Sequence, residues 1–209
     1  MARKTKEDAE VTKQCIIDAA REVFLTRGVS RTTLEHIAEK ANFTRGAVYW
    51  HFKNKSEIFH AMREQVFLPL IDRIEDTLSI ANIANNHDDP LTQIEISLCE
   101  TISGLEQNIE MREIYEIMMI KCEYVDDFAT VLQQILSNCS SITDKIESAY
   151  KRAAELKLLS NKQSPRALAL DTHLFFNGLL HMWVKDIDGN RFRFQAIDLV
   201  KSHINLRRK

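Results

Sequence analysis

Glycine and proline are scarce in this chain, five and three of 209 residues. Folds made of many short strands need frequent turn residues, so this scarcity argues for long helices. No apolar run reaches the roughly 18 residues that crossing a bilayer takes, and no membrane partner is read. The opening MARKTKEDAE has no apolar stretch behind its charges, so no secretory signal is read there either. The four cysteines, at 15, 99, 122 and 139, lack paired spacing and metal-ligand companions. They read as reduced, mostly core thiols of a cytoplasmic protein. No Ser-His-Asp order, paired carboxylates or glycine-rich phosphate loop stands out, so no enzyme, catalytic residue or cofactor is assigned.

What is present is an ordinary globular composition, 44% apolar and 28% charged, with an uneven charge distribution. Residues 1–65 carry 12 Lys+Arg against 9 Asp+Glu, a balance of +3; the remainder carries 16 against 21, a balance of −5. A mildly basic head on an acidic body suits nucleic-acid binding at one end only.

The head reads as three helices. Ile16, Ala19, Ala20, Val23 and Phe24 recur at helical spacing, and Gly28 after Arg27 is a natural C-terminal cap. Thr32 and Glu35 have the spacing of a capping box that opens a short second helix through Ile37, Ala38 and Ala41. Asn42 tolerates a left-handed turn, and Thr44 can cap a third helix. Short helix, tight turn, short helix is a helix-turn-helix. On the third helix Val48 and Phe52 point inward. The run Tyr49-Trp50-His51-Phe52 cannot all do so, because successive helical residues point about 100° apart. Arg45, Gly46, Tyr49 and Trp50 are left facing out beside Thr44, a surface suited to a DNA groove. His51, Lys53 and Lys55 add groups suited to phosphates, and the amide of Lys55 can face a phosphate too.

Residues 11–59, centred on "TTLEHIAEKANFTRGAVYWHFKNKSEIF", resemble the DNA-binding domain of the TetR family of bacterial repressors. The opening ten residues, "MMIKCEYVDDF" at 118–128 and "NGLLHMWV" at 177–184 resemble its AcrR and TtgR branch, repressors of multidrug efflux pumps. Asn42 departs from the glycine usual there. The resemblance implies DNA contacts at Thr33, Thr44, Arg45, Gly46, Ala47, Tyr49, Trp50, His51 and Lys55. It also implies an all-α fold: a three-helix helix-turn-helix domain over residues 1–55, and a larger helical ligand-binding and dimerisation domain over 56–209.

In the body, Leu91, Ile94, Leu98, Ile102, Leu105 and Ile109 step by threes and fours as one helix after the loop "NIANNHDDP". A long helical pattern runs from about Asp126 to Leu159, and Ser164-Pro165 opens another helix that is apolar on nearly all sides. The resemblance makes that helix half of a dimer bundle. His173, Asn177 and His181 share one of its faces, and each polar group needs a partner. Two histidines without a third ligand do not make a metal site, so none is assigned. The resemblance implies a pocket between this helix and those carrying Phe67, Tyr115 and Met119, with Met118 and Met62 supplying a soft wall. The helix opening at Lys55 is expected to kink at Pro69, with Phe67, Ile71 and Ile74 as further wall candidates. The expected function is a repressor that binds a palindromic operator as a homodimer and is released by a hydrophobic small-molecule inducer. The alternative is a redox regulator acting through Cys122, with Lys121 lowering its thiol pKa.

Overall fold

The computed structural model describes residues 6–78, 89–160 and 163–209, and for residues 67–77 the backbone alone. Among the described residues there are nine α-helices and no strand. They group into two compact units, one of residues Met1–Leu68 with Glu110–Gln133, the other of Pro69–Ile109 with Gln134–Lys209.

The first unit begins with α1 (Lys6–Arg27), whose stripe of Ile16, Ile17, Ala20, Val23 and Phe24 is buried. The helix stops at Gly28, which adopts φ +79°, a conformation that costs a side-chain-bearing residue about 1–2 kcal/mol. Short helices α2 (Leu34–Lys40) and α3 (Arg45–His51) follow, and Ile37, Ala38, Val48 and Phe52 close the core beneath them. Burying side chains of this size stabilises by about 1.5–3 kcal/mol each, which two seven-residue helices cannot supply from hydrogen bonds alone. Helix α4 (Lys55–Thr77) runs through position 69 as one element. Its Phe59 meets Phe24 and Phe128 edge-on, at 6.2 and 5.3 Å between centroids. Helix α6 (Ile109–Glu116) widens into a π turn at Ile117–Lys121. Such turns are rare and cluster at functional sites. The Lys121 carbonyl accepts from the amide of Val29 at 2.9 Å.

In the second unit, Asp89 caps α5 (Pro90–Gln107) by accepting from the amides of Leu91 and Thr92, and Arg208 reaches Asp89 at 2.6 Å. The expected stripe is buried from Leu91 to Leu105, but the helix ends at Gln107 and Ile109 is exposed. The remainder of "NIANNHDDP", residues 82–88, lies outside the described residues. A 3-10 turn at Asp126–Phe128 precedes α7 (Ala129–Glu155), so the long pattern starts slightly later and ends earlier than its apolar period suggested. Tyr150 of α7 bonds Thr172 of α8 (Pro165–Lys185) at 2.8 Å. His203 of α9 (Ala196–Asn205) stacks on Phe175 at 3.8 Å, and burial, then Arg207, pushes its pKa down to about 4. Between α8 and α9, one carboxylate oxygen of Asp186 accepts from the amides of Phe192, Arg191 and Arg193, at 2.7, 2.9 and 3.1 Å. The cysteines are less buried than expected: Cys15 is exposed and the other three are half-buried.

Candidate nucleic-acid interface

The interface is built on α2, a tight turn and α3. The capping box sits one residue later than the sequence spacing suggested. Thr33 is the N-cap, its hydroxyl accepting from the amide of His36 while His36 Nδ1 accepts from the amide of Thr33, both at 3.3 Å. Thr32 instead donates its hydroxyl to the Gly28 carbonyl at 2.8 Å and is buried. Closing the turn after α1 uses up Thr32, and an imidazole nitrogen replaces the expected carboxylate. Asn42 takes φ +56°, letting Phe43 donate to the Ala38 carbonyl at 2.9 Å. Thr44 then caps α3 by accepting from Ala47 at 3.2 Å.

This geometry turns α3 outward. Trp50 is 72% exposed and Tyr49 44%. The Trp50 ring lies edge-on to His51, with centroids 4.5 Å apart. Arg45 stands 5.1 Å from the Tyr49 ring centroid, donates to the Tyr49 hydroxyl at 3.2 Å and pairs with Glu35 at 2.8 Å. That pair is exposed on both sides, so its partner exchange costs little. A Cβ built on Gly46 would meet only Thr44 Oγ1, at 4.0 Å. Nothing inside the fold therefore demands glycine at this position. The outward group is thus Thr44, Arg45, Gly46, Tyr49 and Trp50, with Ala47 on the first turn of α3 and Thr33 at the start of α2.

Lys55 has a different placement. Its ammonium donates to the carbonyls of Val29, Ser30 and Thr32, at 2.8, 2.9 and 3.2 Å. The side chain expected to face a phosphate is directed onto the turn in front of α2. At the same helix start, Asn54 accepts from the amide of Glu57, and the Glu57 carboxylate accepts from the amide of Lys53.

The residues of the expected effector pocket fall in both units. Tyr115 and Met119 belong to the first, and His173, Asn177 and His181 to the second. Tyr115 is buried; beyond it, within the π turn, Met118 is 3% exposed and Met119 36%. Asn177 donates its amide to the carbonyl of His173 at 2.9 Å, His181 is half-buried, and burial lowers the pKa of His173. The side chains of Phe67, Ile71 and Ile74 lie outside the described residues. Cys122 runs against the redox expectation. Burial pushes its thiol up to about 12, opposed by Lys55, and Lys121 lies 3.5 Å from Glu116. A reactive thiol needs the opposite shift.

Two side chains missed in the sequence stand out. Arg193 lies 4.4 Å above Trp183 and donates to its carbonyl. Arg63, on α4, is 3% exposed and its Nη1 has no hydrogen-bond partner among the described residues. A charge four residues after Phe59 and four before Phe67, on an apolar stripe, was the available signal.

Residues 16–62 match the bacterial regulatory proteins of the tetR family, and residues 89–208 match the C-terminal region of MAATS-type transcriptional repressors. The HTH-type transcriptional regulator AcrR of Shigella flexneri is 34% identical over 201 residues, covering 96% of this chain and 88% of that protein. The solved structure of NalD, secondary repressor of the MexAB-OprM multidrug efflux pump in Pseudomonas aeruginosa, superposes with a TM-score of 0.84 at 30% identity, covering 98% and 99% of the two chains. SmeT in complex with triclosan gives a TM-score of 0.78 at 29% identity, covering 95% and 92%; SmeT represses the Stenotrophomonas maltophilia efflux pump SmeDEF.

Proposed function

This chain belongs to the tetR family of bacterial regulatory proteins, and from that premise we propose a cytoplasmic repressor that binds a palindromic operator as a homodimer. In this reading a hydrophobic or amphipathic small molecule releases it, and the controlled gene encodes a multidrug efflux pump. Its relatives are transcriptional regulators, and the chain is a regulator rather than an enzyme. The observation that carries the reading is the outward face of α3. An arginine, two large rings with polar tips and a glycine with no internal role are what a helix needs to enter a major groove. Residues 1–55 form the reading head, and the rest carries effector binding and dimerisation.

Dimerisation rests on the C-terminal helices. Leu170, Leu174 and Met182 are exposed along α8, and Phe194, Leu199 and Leu206 on and beside α9. An aliphatic row of this kind on a soluble chain marks a protein contact. Efflux control and release by a hydrophobic compound rest on likeness: SmeT was crystallised with triclosan, and NalD and SmeT both repress efflux pumps. Two recognition helices in successive major grooves call for half-sites roughly 34–36 Å apart, or a multiple. Footprinting on DNA selected by the protein tests the reading. Two symmetric half-sites are expected, and protection of one asymmetric half-site would overturn it.

A further inference from the structure

We propose that Arg63, assisted by the hydroxyl of Tyr124, is a recognition point for the carboxylate of an apolar organic acid. The proposal rests on the effector-responsive reading above and names the class of effector. Arg63 lies in the first unit, a little over two turns into α4, and is 3% exposed. Its Nη1 is buried and has no hydrogen-bond partner among the described residues. A guanidinium does not shed its proton to escape burial. An unpaired buried charge costs several kcal/mol, and proteins seldom leave one without a counter-ion. Burial lowers the Arg63 pKa, and the exposed carboxylate of Glu64 offsets that only in part.

The neighbouring charges do not fill this role. Glu64 is one residue further round the helix, exposed, and 3.3 Å from His60. Among the described residues, Tyr124 also acts electrostatically on Arg63, and its hydroxyl donates to the Met118 carbonyl at 2.8 Å. Burial, first of all, raises the Tyr124 pKa, so this hydroxyl stays a neutral donor. The buried core of the same unit is apolar and includes Met62, Phe59, Met118 and the ring of Tyr115. A fork of N–H donors with one donor hydroxyl, in apolar surroundings, matches a planar carboxylate on an apolar body. It does not match a hydrophobic cation, which would repel Arg63.

The geometry also links the point to the reading head. A carboxylate that draws the Tyr124 hydroxyl away frees the Met118 carbonyl inside the π turn. Three residues on, the Lys121 carbonyl holds Val29, in the turn that precedes α2. Tyr124 and Arg63 thus join an effector headgroup to the support of the recognition helices within one compact unit.

The test uses the full chain, calorimetric titration and three probes: 2-naphthoate, its neutral twin 2-naphthamide, and the cation rhodamine 6G. Naphthoate is expected to bind on the order of ten- to a hundredfold more tightly than naphthamide, as for hydrogen bonds to a charged group. Arg63→Met should erase that ratio while keeping naphthamide binding, and should melt no lower than the parent chain, since it removes an unpaired buried charge. Arg63→Lys keeps the charge but loses the fork, and is expected to retain part of the preference. Tyr124→Phe should cut the ratio by a smaller factor. Equal binding of naphthoate and naphthamide by the parent chain overturns the proposal even if no variant folds. A full preference surviving in Arg63→Met or Arg63→Lys overturns it as well. If rhodamine 6G or naphthamide binds while naphthoate gains nothing, only the role of Arg63 falls. If none of the three binds, the effector-responsive reading falls with it.

Discussion

The turn between α1 and α2 and the turn between α8 and α9 solve the same problem with opposite charges. In the first, the ammonium of Lys55 donates to three carbonyls of residues 29 to 32. In the second, one carboxylate oxygen of Asp186 accepts from three amides of residues 191 to 193. A backbone turn presents either carbonyls or amides to its inside, and each set needs a concentrated partner. The regions differ again in what they expose. Beside the Lys55 turn, α3 shows rings with polar tips and an arginine; α8, which leads into the Asp186 turn, exposes Leu170, Leu174 and Met182 alongside the charged Asp171. Exposed area alone does not name a partner, but the chemistry of the tips does. A tipped ring beside a guanidinium meets base edges and phosphates, whereas a bare aliphatic row meets its like.

The largest way to break this comparison is Leu174→Glu. Leu174 is 67% exposed in the single chain, so the change should leave the fold and melting temperature of the chain nearly unaltered. In a dimer it buries a carboxylate at the centre of the contact, and dimer dissociation should rise at least on the order of a hundredfold. Sedimentation equilibrium reads this directly. An unchanged dimer would remove α8 from the interface.

Lys55→Met comes next. It removes the donor shared by three turn carbonyls, of which Val29 keeps the amide of Thr32, and should lower stability by about 2–3 kcal/mol. DNA affinity should fall for all sequences alike because the support of α2 is lost. A phosphate contact predicts something else: an intact melting temperature and a salt dependence shallower by about one unit. Thermal melting alongside a salt titration of DNA binding separates the two roles.

Arg45→Ala acts on the outward face alone. It should cost about ten- to a hundredfold in affinity and relax the base preference at one operator position, with melting unchanged. Selection of binding sites from random DNA, run with both proteins, checks it. A uniform loss without relaxed preference would make Arg45 a phosphate contact.

Much of this was legible before any fold was known, because it is local. Gly28, Asn42, Thr44 and Ser164-Pro165 mark helix ends through backbone conformation and capping, which depend on neighbours within a few residues. The inward pair Val48 and Phe52 followed from helical period alone. The misreadings are tertiary. Thr32 and Thr33 are equivalent as letters, and only closure of the turn onto Gly28 decides which one caps α2. Lys55 looks like one more cation near a basic helix, and its carbonyl partners lie more than twenty residues away. Lys121 was read as a neighbour of Cys122 in sequence, yet the chain turns it to Glu116 and leaves the thiol to the effect of burial. The π turn at Ile117–Lys121 has no letter signature at all.

The smallest expected effect sharpens the charge contrast with which the comparison began. Amides of Phe192, Arg193 and Arg191 stabilise the ionised carboxylate of Asp186 and draw its pKa from the usual 3.8 down to about 2. Because the folded value is the lower one, the carboxylate contributes stability at every pH above the unfolded value. That contribution fades as pH falls through 3.8 and is gone once the folded carboxylate is protonated, near 2. Asp186→Asn keeps an acceptor oxygen and removes the charge, so it should lower the melting temperature slightly at neutral pH. Below about pH 2 the parent and the variant should melt together. Over the same acid range every carboxylate titrates, so the quantity to follow is the difference between the two melting curves, point by point. A difference that is constant with pH would mean that the three amides are satisfied by the oxygen as such. The charge would then have no part in holding the turn, and the symmetry with Lys55 would be one of shape alone.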